Sequence, residues 1–156
     1  RSQDLPLNSA YEALILASIV EKETGVAEER SRIAGVFYNR INSGMRLQSD
    51  PTTIYGLGDR YTGRLTRDQL REETPYNTYR IEGLPPTPIA LVSNSALNAV
   101  LDPEIHGYFY FVSNSNGGHV FSRTLEEHNA AVSIYRAGLF DSAPQTNAIN
   151  GDISER

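Results

Sequence analysis

The sequence predicts an α+β domain, mainly helical, with one small antiparallel β-hairpin. Three observations predict it. Two apolar helical patterns joined by a tight turn fill residues 9–42. Two short aromatic and β-branched runs at 108–112 and 118–122 flank a turn at Ser113 to Gly117. A further capped helical stretch follows them, so helices precede and follow the hairpin. At 156 residues the chain has room for one sizeable core. The compact domain is placed at 9–141, between a flexible N-terminal segment at 1–8 and a flexible C-terminal tail at 142–156, both polar.

Ser9 or Asn8 is positioned to cap the first helix, which runs to about Thr24 through the nearly all-apolar Ala13 to Val20; Gly25 ends it. A second helix is expected from Val26 to Asn42. Its apolar residues are Ile33, Val36, Phe37 and Ile41, its early acids Glu28 and Glu29 suit the helix dipole, and Ser43-Gly44 stops it. From Met45 to Pro88, glycines and prolines break any long period, leaving one short helix at 66–72 capped by Thr66. Tyr55, Tyr61, Tyr76 and Tyr79 argue against disorder there, and the stretch reads as the wall of a substrate cleft. Ser93 or Asn94 opens a helix over 93–101 that Asp102-Pro103 closes. After the hairpin, Thr124 and Glu127 form a capping-box pattern for a last helix to about Ala137.

Composition excludes several functions. A net charge of −5 and a pI near 5.2 argue against nucleic acid as a partner. The chain has no cysteine, hence no disulfide and no thiolate site. His106, His119 and His128 lie on different elements without metal-ligand spacing, so neither a metal nor another cofactor is predicted. No apolar run reaches the roughly 18 residues of a membrane span, and no membrane contact is expected of this piece itself. The start at Arg1, without Met, is read as that of an excised piece whose targeting elements lie outside it.

Chemistry concentrates in Ile19-Val20-Glu21-Lys22-Glu23-Thr24-Gly25-Val26. At roughly 100° per residue Glu23 projects between Leu16 and Ile19, on the flank of the apolar face. Desolvation there raises a carboxyl pKa, and a carboxyl that keeps its proton near neutrality is a general acid. Glu21 lies roughly 160° round the helix, so the two glutamates do not act as a pair. In Gln48-Ser49-Asp50-Pro51-Thr52, Asp50 reads either as a cleft residue that binds substrate or orients Glu23, or as an Asx turn feeding a helix at 51–55. Tyr76-Asn77-Thr78-Tyr79 sets an amide between aromatics. That suits an N-acetylated sugar, and it equally suits ordinary packing with satisfied hydroxyls.

In order along the chain, several segments resemble the endolytic murein transglycosylases, the YceG-like family. They are Ala17 to Thr24, Val36-Phe37-Tyr38-Asn39-Arg40, Met45 to Thr52, Ile54-Tyr55-Gly56, Tyr76 to Tyr79, Gly83-Leu84-Pro85-Pro86, Tyr110-Phe111-Val112, Gly117 to Phe121 and His128-Asn129. The resemblance implies a lysozyme-like helical core and a lytic transglycosylase that cleaves the MurNAc-GlcNAc β-1,4 bond of peptidoglycan strands. The products would carry 1,6-anhydro-MurNAc ends, and nascent strand length would be limited. It implies Glu23 as the catalytic residue and Glu21 as a supporting one, with Gln48, Asp50, Tyr55, Tyr76, Asn77 and Tyr79 as candidate substrate-binding residues. It also implies glycan strands and cell-wall synthases as partners, and a place on the periplasmic face of the bacterial inner membrane. The family's single N-terminal span and LysM-like module are missing from this sequence. Where the family continues Pro-Ile-Ala with Asn-Pro-Gly, this chain has Pro88-Ile89-Ala90-Leu91-Val92-Ser93-Asn94, which alters a turn beside the cleft. Two alternatives remain: a lysozyme-type hydrolase using Glu23 and Asp50, and a non-catalytic glycan-binding module.

Overall fold

The architecture comes from a computed structural model that describes residues 4–138. Residues 1–3 of the expected N-terminal segment and the whole expected tail at 142–156 lie outside the described residues. Six α-helices and one two-stranded sheet are described: α1 Ala10–Glu23, α2 Arg30–Asn42, α3 Asp50–Leu57, α4 Arg67–Arg71, α5 Asn94–Leu101, β1 Tyr110–Ser113, β2 His119–Ser122 and α6 Leu125–Gly138. This is the predicted α+β class.

The cap signals decide most boundaries. The Ser9 hydroxyl accepts the Glu12 N–H, so Ser9 rather than Asn8 starts α1. Thr66 and Gln69 form a reciprocal capping box on α4, and Ser93 caps α5 through the Ala96 N–H. At α6, Thr124 accepts the Glu127 N–H while the Glu127 carboxylate reaches back to the N–H of Arg123. The second helix starts four residues later than expected. The Thr24 hydroxyl accepts the Val26 N–H, Val26 is extended, and Ala27–Glu29 forms a separate 3-10 turn before α2. Both strands are likewise shorter than the apolar runs that announce them, with Phe111 opposite Phe121 in the antiparallel register.

Helices α1, α2 and α5 pack together. Leu16, Ile19 and Val20 meet Ile33, Val36 and Phe37, with Val100 and the hairpin's Phe111 completing the core. Phe37 and Phe111 meet edge to face at 6.1 Å. Leu5 and Leu7 pack against this cluster from the N-terminal side. Helix α6 covers the hairpin through a smaller cluster around Val112 and Ala131. Gly35 lets the chain at 104–106 cross α2 closely: a Cβ there would stand 2.5 Å from the Glu104 carbonyl oxygen and the His106 ring. His106 Nδ1 accepts the Tyr108 N–H, which leaves the proton on Nε2 to donate to the Arg32 carbonyl. Among the described residues no helix is long and apolar enough to cross a membrane, and no three His, Asp or Glu side chains gather as a metal cluster would require.

Candidate active site

Glu23 is the last residue of α1 and is fully buried. Its place on the core side of the helix brings it against the start of α3, where Ser49 donates a 2.7 Å hydrogen bond to Glu23 Oε2. The other carboxyl oxygen, Oε1, is buried without a partner. Burial, against the lowering effect of the Ser49 bond and helped by the neighbouring charge of Asp50, pushes the Glu23 pKa from 4.5 up to about 8. The carboxyl therefore holds its proton at neutral pH.

Ser49 breaks a local rule to do this. It stands at the N-cap position of α3, where a serine ordinarily accepts a helical N–H, yet its hydroxyl makes no capping bond. It turns to Glu23 instead. Its backbone is fixed around that choice: the N–H donates to Thr78 Oγ1 at 2.8 Å and the carbonyl accepts from Thr52 Oγ1 at 2.9 Å. With Oε2 serving as acceptor for Ser49, the acidic proton belongs on Oε1, the oxygen with no protein partner. Replacing Ser49 with Ala removes a bond that favours the carboxylate. The Glu23 titration is then expected to move up by about one pH unit. Carboxyl 13C NMR reads this directly, and an unmoved midpoint would refute the clamp.

Asp50 opens α3, so the helix expected at 51–55 is observed and runs from Asp50 to Leu57. It is also buried beside Glu23, with the Tyr79 hydroxyl donating to Oδ1 at 2.5 Å. Gln48 adjoins the clamp from the other side at φ +52°, its N–H bonded to the Thr78 carbonyl. Residues 48–50 and 77–79 thus interlock around one carboxyl. Asn77 is brought there as scaffold. Its Oδ1 accepts from Thr53 and from the Tyr79 N–H, while Nδ2 donates to the carbonyls of Leu70 and Glu72. All of its ordinary bonds are spent inside the protein, which leaves it nothing to offer a sugar. Tyr55 and Tyr76 form a tilted aromatic pair at 4.9 Å, Tyr55 half exposed and the Tyr76 hydroxyl paired with Thr87 Oγ1.

Glu21 has a different role. Its carboxylate accepts the Ser93 N–H at 2.9 Å and lies 3.9 Å from Arg30. Those contacts, the Ser93 backbone bond foremost, hold its pKa below the ordinary value. One glutamate is kept charged and the other neutral, two positions apart. The departing segment at 88–94 is also tied to α1: Ile89 donates its N–H to Ser18 Oγ, and Leu91 points outward.

Arg40 is the residue that sequence reasoning passed over. It is 1% exposed; Nε donates to the Phe109 carbonyl at 2.7 Å and Nη1 to that of Arg46 at 2.8 Å. Its guanidinium lies 4.9 Å from the centre of the Tyr110 ring. It joins the hairpin to the loop that carries Ser49.

Comparison with known proteins bears on the same segments. A model described as the YceG-like family matches residues 1–134. The endolytic murein transglycosylase of Bacillus subtilis is 42% identical over 127 residues, which cover 81% of this chain and 35% of the relative. That of Streptococcus pneumoniae is 34% identical over 85% of this chain and 24% of its own length. The chain thus spans about a third or less of these relatives. The crystal structure of a yceG-like protein from Listeria monocytogenes superposes with a TM-score of 0.73 at 46% identity, covering 78% of this chain and 40% of that one.

Proposed function

The chain belongs to the YceG-like family, and from that premise we propose that it is the catalytic domain of an endolytic peptidoglycan transglycosylase. It cleaves the β-1,4 bond between N-acetylmuramic acid and N-acetylglucosamine within strands and leaves 1,6-anhydro ends. The observation that carries this reading is the buried Glu23 carboxyl, with one oxygen clamped by Ser49, the other unpartnered, and a pKa near 8.

The proton on Glu23 Oε1 goes to the glycosidic oxygen as its bond to C1 breaks and positive charge builds on the ring. The resulting carboxylate takes the proton of the muramoyl O6 hydroxyl, and O6 closes onto C1. One bond forms, one breaks, and Glu23 ends protonated as it began. No water enters. A single neutral acid suffices: burial keeps it protonated, and Asp50, engaged by Tyr79, adds to that rather than activating a nucleophile. The same reading sets the domain on the periplasmic face of the inner membrane, with glycan strands as substrate and cell-wall synthases as neighbours.

Digestion of purified glycan strands followed by mass spectrometry tests the reaction. Products lighter by one water than their hydrolytic counterparts are expected. Reducing ends would assign hydrolysis through Glu23 and Asp50, and strand binding without cleavage would assign a binding module.

A further inference from the structure

Beside the clamp, Arg40, Met45, Arg46, Gln48, Glu82 and Tyr110 line a pocket of about 320 Å³. Two of these residues each keep one buried polar atom without a partner: Arg40 Nη2, a donor, and Gln48 Oε1, an acceptor. A buried donor or acceptor without a partner is costly, and a ligand that supplies the missing partner to both atoms removes that cost. Arg40 cannot turn away to find another partner. Its other nitrogens are held by the Phe109 and Arg46 carbonyls, and its plane rests on Tyr110. Gln48 is held too, in a left-handed backbone conformation that a non-glycine residue adopts only where its surroundings impose it. Here the imposing contacts are the bonds of Gln48 and Ser49 to Thr78.

The pocket and the acid are linked. Gln48 immediately precedes Ser49, and Arg40 lies within electrostatic reach of Tyr79, whose hydroxyl bonds Asp50. We infer that this pocket is a subsite for a secondary amide of the substrate, its carbonyl accepting from Arg40 Nη2 and its N–H donating to Gln48 Oε1. A carboxylate fits less well, because it offers no donor to Gln48 and would meet Glu82 on the wall. Entry requires the half-buried Gln48 side chain to rotate and the exposed Arg46 to move aside. The inference rests on the reading of peptidoglycan as substrate. Such strands carry secondary amides in two places: the 2-acetamido groups of the sugars, and the stem, whose peptide bonds include the amide that joins it to the lactyl group.

Binding to the 156-residue chain carrying Glu23→Gln, whose cleavage is expected to be slowed at least about a hundredfold, separates them. Three strands are titrated: intact, stripped of stem peptides, and N-deacetylated. Adding Gln48→Ala is expected to weaken binding of intact strands about tenfold, the scale of one well-placed hydrogen bond. That penalty should vanish on whichever strand lacks the amide concerned. An equal penalty on all three strands, or none on any, overturns the subsite. Failure of every strand to bind overturns the subsite together with the peptidoglycan reading. The expected pattern without cleavage by the unsubstituted protein overturns the transglycosylase reading alone.

Discussion

Replacing Glu23 with Gln is expected to lower strand cleavage by about a hundredfold to ten-thousandfold and, above neutral pH, to yield a protein more stable than the original. The first effect follows from the proposed role of Glu23 as the acid that donates and retakes the proton. The second follows from burial. Glu23 has a pKa of 4.5 when exposed and about 8 in the fold. Below pH 4.5 it is neutral in both states and contributes no pH dependence. Between pH 4.5 and about 8 the unfolded chain loses this proton while the folded one keeps it, so stability falls as pH rises. Above about 8 the loss levels off, at roughly 3–5 kcal/mol. Gln fits the same space, can still accept from Ser49 through its amide oxygen, and does not ionise. Urea denaturation of both proteins at pH 4.5 and pH 8.5 should show a stability gap that opens with pH. A gap independent of pH would mean that Glu23 is not buried as a neutral acid. The site thus carries a stability cost that grows between pH 4.5 and about 8.

Much of this was legible in the sequence, and the reason is local. Ser9, Thr66, Ser93 and Thr124 are cap residues whose bonds are made within three residues of themselves, so their positions alone set four helix starts. Glu23 was legible because helical periodicity sets it between Leu16 and Ile19, and the fold buries that face. The same test applied to α2 puts Arg40 between Ile33 and Val36, at roughly the same angle to its apolar neighbours. The sequence thus sets a charged residue on a core face twice, at Glu23 and at Arg40.

What was not legible depends on contacts between distant segments. Ser49 looks like an ordinary cap until α1 and α3 are brought together across 26 positions of sequence. Asn77 looks like a sugar-binding amide until Thr53, Leu70 and Glu72 close around it. The composition of the Gly- and Pro-rich stretch suits a cleft wall and carries no sign that residues 77–79 anchor 48–50. In each case the side chain's chemistry was known and its partner was not.

Arg40→Met is expected to destabilise the fold by about 2–4 kcal/mol, even though it replaces a buried charge with an apolar side chain of similar length. Burial lowers the Arg40 pKa to about 10, so the guanidinium is charged at neutral pH and its desolvation is a cost to the fold. Removing that charge recovers part of the cost. It also strands the carbonyls of Phe109 and Arg46, which Arg40 satisfies through charge-assisted bonds, and it loses the stacking on Tyr110. The two acceptors that lose a charged donor outweigh the recovered desolvation. Thermal unfolding should drop by roughly 6–12 °C. Amide exchange should quicken at 45–49 and at the base of the hairpin, the segments Arg40 holds together. Arg40→Lys retains a charge and one reachable carbonyl and should fall between the two. If Arg40→Met matched the parent in stability and exchange, the loop that presents Ser49 to Glu23 would owe its position to Thr78 alone.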